Sequence, residues 1–426
     1  MFKNIIENGT IFSAKKIIKN SMNSYLNIKY IDYEVKRQLE KNKSYLLYMH
    51  IPFCETFCPY CSFHKFKYDE KTAIKYFVSL RKEMRKVKEE GFKFDSLYVG
   101  GGTTLIHEEE LYKTLKLAKS LFGIEDISCE SDPNHIDPKT IQKFQGLIKR
   151  LSIGVQSFDD GILKKVARYD KFGSAKQIKE KIAAIKGMIP MINIDLIFNF
   201  PGQSEKMLLD DLKCAKELGV EQVTTYPLMS TDLTLNSITK AFEAKNSTNE
   251  YLFYKIIQEQ FAEYSSSNAW SFSKEVSNMS DEYLAKHNEY VGIGSGAFSF
   301  LEGNLYVNAY DLEEYAQLVS KQPHAIVATS SFKSQQRIQY QFLTWLFNGT
   351  IDIIEFDKTF DCNLLKILNQ EIYMLKTANA IKIEDNKICP TKFGKYLSLT
   401  MMKEFYSGMD VVRAMFKEKT LKQISA

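Results

Sequence analysis

The sequence predicts an α/β protein, with a partial (β/α)6 barrel followed by a C-terminal, mostly helical, winged-helix-like domain. From about residue 44 to residue 230, short apolar runs alternate with longer amphipathic segments, which is typical of strand–helix units around a parallel sheet. After residue 331, helical segments surround one candidate hairpin, AIKIEDNKICPT. Six strand–helix units are fewer than the eight of a closed barrel, so we expect an open, splayed barrel.

Six apolar runs are the predicted barrel strands, at residues 45–50, 96–99, 127–130, 151–155, 192–198 and 222–226. Between them, apolar residues recur every three, four or seven positions, as at Ile178, Ile182 and Ile185. This spacing predicts helices that each pack one apolar face on the sheet. The carboxyl ends of parallel strands meet at one edge, so we expect the polar motifs that follow the strands to form one site.

We divide the chain of 426 residues into four parts. Residues 1–43 are an N-terminal extension, which we expect to form a helix or a lid. Residues 44–230 are the partial barrel, 231–330 a barrel-completing segment on the substrate side, and 331–426 the C-terminal helical domain. Winged-helix modules bind nucleic acid in other contexts, but the absence of a basic stripe here favours a structural or substrate-covering role.

Composition excludes several classes of protein. Lys and Arg number 57 against 52 Asp and Glu, and a net charge of +5 is too small for this length to indicate nucleic acid as the partner. The first residues lack the apolar core of a secretory signal, and no stretch has the uninterrupted apolar length of a membrane span. We therefore expect a cytoplasmic protein without a membrane span, in which an odd count of seven cysteines is not a disulfide framework.

Three of these cysteines, Cys54, Cys58 and Cys61, have C-x3-C-x2-C spacing directly after the first predicted strand, whereas the other four are scattered. Three thiolates on one loop can hold three irons of a four-iron cluster and leave the fourth iron open. A zinc site with His64 as the fourth ligand, or three buried thiols without a metal, are the alternatives. The position of the loop at the open end of the barrel favours a catalytic role over a structural one.

The cysteine loop and five later motifs resemble a known family. The segment YMHIPFCETFCPYCSF resembles the cluster loop of the radical S-adenosylmethionine (SAM) superfamily. The resemblance is to the branch that contains oxygen-independent coproporphyrinogen III dehydrogenase, the related heme chaperone and the anaerobilin synthases. Further motifs that resemble this branch are GGGTT at 100–104, ESDPN at 130–134, RLSIGVQSF at 150–158, NIDLIFNFPGQS at 193–204 and VGIGSGAFS at 291–299.

The resemblance implies a [4Fe-4S] cluster on the three clustered cysteines and SAM bound at its open iron. In this family one electron from the cluster cleaves SAM to methionine and a 5′-deoxyadenosyl radical. By the same resemblance, Glu130 accepts from the SAM ammonium, and Gln156, Arg168 and Asp195 hold the ribose and the carboxylate. The glycines at 101 and 102 let backbone approach the ligand closely. The full set of implied cofactor-binding residues is Tyr48, Tyr60, Gly101, Gly102, Thr103, Glu130, Gln156, Arg168, Asp195 and Phe298.

Within the branch, the positions where this sequence differs from the family motifs favour heme methylation and ring opening, as in an anaerobilin synthase. Coproporphyrinogen dehydrogenase has a further cysteine where this chain has Phe63, and the heme chaperone begins almost directly at the cluster strand. Decarboxylation of coproporphyrinogen III and non-catalytic heme transfer remain the alternatives. The predicted partners are a heme or porphyrin and a low-potential reductant such as flavodoxin, and His64 and His287 are the candidate heme ligands. The spacing of acidic residues singles out no catalytic acid or base.

Overall fold

A computed structural model of the chain describes residues 2–31, 35–40, 43–244, 249–275 and 287–424. The main element is a thirteen-stranded sheet in the order β1-β15-β14-β13-β12-β2-β5-β6-β7-β8-β9-β11-β10. The strands are β1 Lys29–Tyr30, β2 Tyr45–Ile51, β3 Phe53–Cys54, β4 Phe66–Lys67, β5 Phe94–Gly101, β6 Asp126–Ser131, β7 Arg150–Gln156, β8 Met191–Phe198, β9 Gln222–Pro227, β10 Ser265–Ser266, β11 Ser271–Ser273, β12 Tyr290–Ile293, β13 Phe298–Leu301, β14 Asn304–Asn308, β15 Ile326–Ser331, β16 Ile351–Asp352, β17 Ile381–Glu384 and β18 Lys387–Pro390.

The helices follow the strands as the sequence predicts. They are Phe2–Tyr25, Glu70–Glu89, Glu108–Phe122, Pro138–Phe144, Asp160–Lys165, Tyr169–Phe172, Ala175–Ala184, Glu205–Leu218, Leu235–Phe242, Glu250–Gln260, Leu312–Lys321, Ser334–Asn348, Ile353–Phe360, Leu364–Ile367, Asn369–Thr377 and Lys392–Ile424, with a 3-10 turn at Thr104–His107. None of the described helices is long and apolar enough to cross a membrane.

The six predicted barrel strands are confirmed as β2 and β5 to β9, which run parallel in chain order. β12 pairs parallel with β2 and adds a strand that the sequence pattern did not identify. Antiparallel strands extend the sheet on both sides, and in the described part of the chain the outermost strands β1 and β10 do not pair with each other. The sheet is therefore an open barrel, as predicted.

The helices pack on the sheet through the apolar faces that their spacing predicts. On the helix Glu70–Glu89, Phe77, Leu80 and Met84 are fully buried, and Asp69 caps the first turn by accepting from the backbone N–H of Thr72. The parallel strands are buried on both faces, β2 along its whole length, which is why they are continuous apolar runs in the sequence.

The C-terminal region is mostly helical, as predicted, and contains the predicted hairpin as β17 and β18. The short strand β16 pairs with β18 and completes a three-stranded sheet beside its own apolar core, which includes Ile338, Phe342 and Phe356. This order of helices and hairpin is winged-helix-like. The domain boundaries at residues 43, 230 and 330 stay predictions.

The C-terminal helix, Lys392–Ile424, runs from this small domain back along the barrel. Glu250 of the helix Glu250–Gln260 accepts from Lys403 Nζ and, at 3.1 Å, from the Tyr396 hydroxyl. The N-terminal helix, Phe2–Tyr25, packs along the C-terminal helix. These contacts hold the C-terminal helix against the side of the sheet that carries the site described next.

Candidate functional site

A cavity of about 300 Å³ lies at the carboxyl ends of the parallel strands. Its walls include the ends of β2 and β5 to β9, the loop that follows β2, the start of β13 and one face of the C-terminal helix. Every residue that the sequence predicts to bind the cluster or the cofactor lines this cavity, namely Tyr48, Cys54, Cys58, Tyr60, Cys61, Gly101, Gly102, Thr103, Glu130, Gln156, Arg168, Asp195 and Phe298.

The three cysteines lie on a loop that returns to its own starting strand. Cys54 ends β3, and its carbonyl accepts from the backbone N–H of Tyr68 at 3.0 Å, directly after β4. Between them the Cys58 carbonyl accepts from the N–H of Cys61 at 3.2 Å, and the Cys61 carbonyl accepts from Lys65 Nζ at 2.6 Å. Burial, and then the neighbouring Cys61, raises the pKa of the Cys54 thiol to about 11.

The glycine-rich turn after β5 packs against the cysteine strand. The N–H of Gly102 donates to the Ile51 carbonyl at 2.8 Å, and that of Thr103 donates to the Phe53 carbonyl at 2.7 Å. A Cβ on Gly102 would lie 2.4 Å from the Phe53 oxygen and 3.0 Å from Cys54 Sγ. These contacts require glycine at 102, so it serves packing against the cysteine strand as well as the predicted approach to a ligand.

Two predicted acidic residues are fixed by hydrogen bonds from neighbouring strands. Glu130, at the end of β6, accepts from the Tyr98 hydroxyl at 2.9 Å and from the N–H of Gly101 at 3.1 Å. Asp195, on β8, accepts from Ser152 Oγ at 2.9 Å and from Asn193 Nδ2 at 2.7 Å. Both side chains are therefore pre-oriented at the cavity wall.

The sequence reasoning missed a third acid, Asp132. Its carboxylate accepts from Thr103 Oγ1 at 3.0 Å, from His135 Nδ1 at 2.7 Å and from Lys171 Nζ at 3.2 Å. Burial alone would raise the pKa of Asp132, but His135 together with the charges of Lys171 and Arg168 holds it well below its ordinary value. Alternation along a strand was the available signal, because Asp132 lies two residues beyond Glu130.

Gln156 and Arg168 meet at the end of β7. The register of β7 shifts between Gly154 and Gln156, and Gln156 has a φ of 74°, in the left-handed region. Arg168 donates from Nη2 to the Gly154 carbonyl and from Nη1 to the Tyr60 hydroxyl at 3.1 Å and to Cys58 Sγ at 3.5 Å. Its buried Nε has no hydrogen-bond partner among the described residues, which is unusual for a guanidinium N–H in a closed wall.

Two histidines anchor the cysteine loop. His50 Nδ1 lies 2.9 Å from the Tyr48 hydroxyl, and Nε2 lies 3.0 Å from the His64 carbonyl, so Nε2 carries the proton and Nδ1 accepts. His64 Nε2 lies 2.9 Å from Ser295 Oγ, whose proton goes to the Tyr310 carbonyl. Burial lowers the pKa of His50 to about 4 and that of His64 well below its ordinary value.

The two candidate heme ligands are therefore placed differently. His64 lines the cavity, but its Nε2 already donates a hydrogen bond and its ring packs 4.3 Å from the Tyr310 ring centroid. His287 lies 2.9 Å from Ser96 Oγ, near the start of β5 and thus at the opposite end of the strand from the cavity.

The second half of the cavity lies between the cysteine loop and the C-terminal helix. The loop contributes Phe63 and Lys65, and the helix contributes Tyr406, Asp410 and Arg413. Local sequence offered no signal for the helix residues, because only the tertiary fold brings them to the strand ends.

Residues 48–215 match the family model described as the Radical SAM superfamily. This match supports a radical SAM domain in that segment, and such a domain would hold a [4Fe-4S] cluster and SAM. It is 26% identical over 380 residues to heme chaperone HemW of Lactococcus lactis subsp. lactis (strain IL1403), with 84% of this chain and 96% of the relative covered. It is 24% identical over 323 residues to anaerobilin synthase of Escherichia coli O157:H7, with 71% and 72% covered.

Among solved structures, the chain is similar to coproporphyrinogen III oxidase (HemN) from Escherichia coli, a radical SAM enzyme. The TM-score is 0.71 at 21% sequence identity, and the match covers 85% of this chain and 90% of the other. The family model and these relatives support the radical SAM superfamily and the branch that contains HemW and anaerobilin synthase, and the similarity to HemN shows a shared fold.

Proposed function

We propose that this protein is a radical SAM enzyme that acts on heme, with methylation and ring opening of the macrocycle as the leading reaction. The observation that carries the proposal is one cavity with two unlike halves. The strand ends and the cysteine loop supply carboxylates, an amide and thiols, whereas the far half supplies aromatic rings and cationic side chains. The first half suits SAM and a cluster, and the second suits a flat apolar molecule with acidic side chains.

The thiols fit an iron–sulfur cluster better than a single zinc ion. Four ligands at about 2.3 Å around zinc would bring sulfur atoms to within about 3.8 Å of one another. Among the described residues, the cysteines do not form a group whose ligand atoms all lie within 4.8 Å. This wider spread supports a multi-iron group held by Cys54, Cys58 and Cys61, which when reduced supplies the electron that cleaves SAM.

The residues at the strand ends would bind and orient SAM. Glu130, held by the Tyr98 hydroxyl, would accept from its ammonium, and Asp195, held by Ser152 Oγ, would accept from the ribose hydroxyls. Gln156 would offer an amide at the same edge. Arg168, whose buried Nε has no partner in the described part of the chain, would offer a charged donor to the SAM carboxylate. Tyr48, Tyr60 and Phe298 would enclose the cluster and the adenine.

A second candidate function is heme transfer without chemistry on the ring. The match to a heme chaperone, which covers 96% of that relative, favours this candidate. Oxidative decarboxylation of coproporphyrinogen III is the third, and the presence of Phe63 where that enzyme has a further cysteine counts against it.

One experiment separates these reactions. The protein, reconstituted anaerobically with iron and sulfide, is incubated with heme, methyl-labelled SAM and dithionite or flavodoxin, and the tetrapyrrole is analysed by mass spectrometry. We expect a labelled, ring-opened product together with 5′-deoxyadenosine. Unchanged heme that passes to an apoprotein would support the carrier instead, and a decarboxylated product from coproporphyrinogen III would support the dehydrogenase.

Two variants serve as controls for that experiment. Cys58→Ala should lose the brown colour and all SAM cleavage, whereas Cys389→Ala, a half-buried thiol on β18, should retain both. Full activity of Cys58→Ala, or a wild-type protein that binds zinc and no iron, would contradict the cluster assignment.

A further inference from the structure

The C-terminal helix presents one polar face to the cavity. Tyr406, Asp410 and Arg413 are spaced by four and three residues, so they lie on the same side of the helix, and all three line the cavity wall. They face the cysteine loop, since the guanidinium of Arg413 lies 5.1 Å from the centroid of the Phe63 ring. This face belongs to a different element from the strand ends that we assign to SAM.

Positive charge exceeds negative charge at this face. Arg413 donates from Nη1 to Asp410, and both side chains are almost fully buried, at 10% and 5% exposure. Lys417 lies one turn further along, and burial together with nearby Lys65 and Arg413 lowers the pKa of its ammonium. Lys65 and Lys417 therefore add positive charge near the Asp410–Arg413 pair, which favours a further anion at this face.

An arginine beside an aromatic ring suits a ligand that is flat, apolar and acidic at its edge. A guanidinium can bind a carboxylate with two parallel hydrogen bonds, whereas a lysine ammonium acts as a point charge. The exposed ring of Phe63 and the ring of Tyr406 supply apolar contact area beside it.

We propose that Arg413 is the substrate-recognition residue of this cavity and binds a propionate carboxylate of the tetrapyrrole, in competition with Asp410. This assignment rests on the proposed action on heme. It makes the C-terminal helix part of the substrate site, with a contact that depends on the acidic side chains of the ligand and not on its ring.

The test compares heme with heme dimethyl ester, in which both propionates are blocked. Each ligand is titrated anaerobically into the full-length, cluster-loaded protein, and binding is followed by the Soret band. Arg413→Met should weaken heme binding by about tenfold or more, which is the loss expected for a charge-assisted hydrogen bond, and leave binding of the diester unchanged. The heme affinity of Arg413→Lys should lie between those of the wild type and Arg413→Met.

Asp410→Asn should change heme binding in the opposite direction to Arg413→Met. If Asp410 competes with the propionate, its neutralisation should tighten heme binding severalfold without an effect on the diester. A merely structural ion pair would instead weaken binding of both ligands in both variants. Arg85→Met, on the exposed face of the helix Glu70–Glu89, is the matched control and should behave as wild type.

Equal effects on heme and diester, or no effect of Arg413→Met on either, would overturn the assignment of Arg413 and leave the proposed function intact. A wild-type protein that binds no tetrapyrrole at all would overturn the proposed function and this assignment together. Iron content and thermal unfolding of each variant verify that the comparison is made between folded, loaded proteins.

Discussion

Gln156 shows how one strained residue is held at the site. A non-glycine residue with positive φ costs on the order of 1–2 kcal/mol, so the following residues must be fixed by other contacts. Asp211, on the helix Glu205–Leu218, accepts from Ser157 Oγ at 2.9 Å and from the N–H of Phe158 at 2.5 Å. Asp211 therefore positions the turn that directs Gln156, without lining the cavity itself.

The buried carboxyl of Asp211 should make stability depend on pH. Burial raises its pKa from 3.8 to about 7, so the folded state favours the protonated acid. Its favourable contribution is complete below the unfolded-state pKa and is lost as the pH rises through about 7. We expect Asp211→Asn, which mimics the protonated acid, to match wild type near pH 3, below the unfolded-state pKa, and to be more stable by up to about 4 kcal/mol at about pH 8.

Urea unfolding at the two pH values measures this difference. A constant difference between Asp211→Asn and wild type across the range would show that Asp211 does not titrate there. Ser157→Ala, which removes a neutral partner of the same carboxyl, is the control and should destabilise at both pH values.

Gly102 should tolerate no side chain. Gly102→Ala places a Cβ against the Phe53 carbonyl and close to Cys54 Sγ, so the cysteine strand must move. We expect a loss of about 1–3 kcal/mol in the free energy of unfolding and a lower iron content after reconstitution. Gly9→Ala is the control, because nothing lies within 4 Å of its Cβ and alanine favours the helix by up to about 1 kcal/mol. Full iron loading of Gly102→Ala would refute the packing argument.

At the scale of elements, a buried ion pair joins the C-terminal helix to the helix Glu250–Gln260. Glu250 pairs with Lys403 where both side chains are largely buried. Glu250→Ala leaves the lysine without its carboxylate, so we expect a loss of about 3 kcal/mol and faster proteolysis within the C-terminal helix. Denaturant unfolding and a time course of limited proteolysis measure the two effects.

Asp210→Ala is the matched control for this pair. Asp210 pairs with Lys206 on a surface helix where both side chains are exposed, so its loss should change stability by less than about 1 kcal/mol. Equal effects of the two substitutions would show that the C-terminal helix does not depend on Glu250.

The elements that sequence predicts are those with a long repeating pattern. The parallel strands are continuous apolar runs because both of their faces are covered. β1, β3, β4, β10 and β16 have two residues each, which is too short for any periodicity, and β1 pairs with β15, a strand far along the chain. β12 was not predicted because its segment, VGIGSG, is rich in glycine and lacks the apolar run of the other parallel strands.

At the scale of the whole molecule, aromatic contacts connect the N-terminal strand to the site. The ring of Phe416 lies 5.3 Å from that of Tyr30 and stacks at 4.6 Å on Tyr310, which in turn contacts His64 of the cysteine loop. Parts of the chain that are distant in sequence therefore pack together behind the cavity.

Phe416→Ala should reveal this coupling. The side chain is almost fully buried, so we expect a loss of about 3–5 kcal/mol in the free energy of unfolding and faster release of iron to a chelator. Phe12→Ala is the control, because Phe12 is 70% exposed on the N-terminal helix and should be near neutral. Unchanged iron release in Phe416→Ala would show that the packing does not support the loop.

As with the fold, one part of the site could be predicted from the sequence and another part could not. Cys54, Cys58 and Cys61 lie within one short motif, whereas Glu130, at the end of a predicted strand, and Asp195, within another, were identified through the motifs that carry the family resemblance. Arg413 reaches the cavity only because the C-terminal helix returns across the barrel, and no local pattern encodes that path.

The late position of this helix in the chain has a consequence for biosynthesis. Every strand of the sheet and all three clustered cysteines leave the ribosome before Tyr406, Asp410 and Arg413 are made. Domains generally fold in the order of synthesis. We therefore expect the cavity to be open on this side during synthesis and to acquire its last wall only when the C-terminal helix docks.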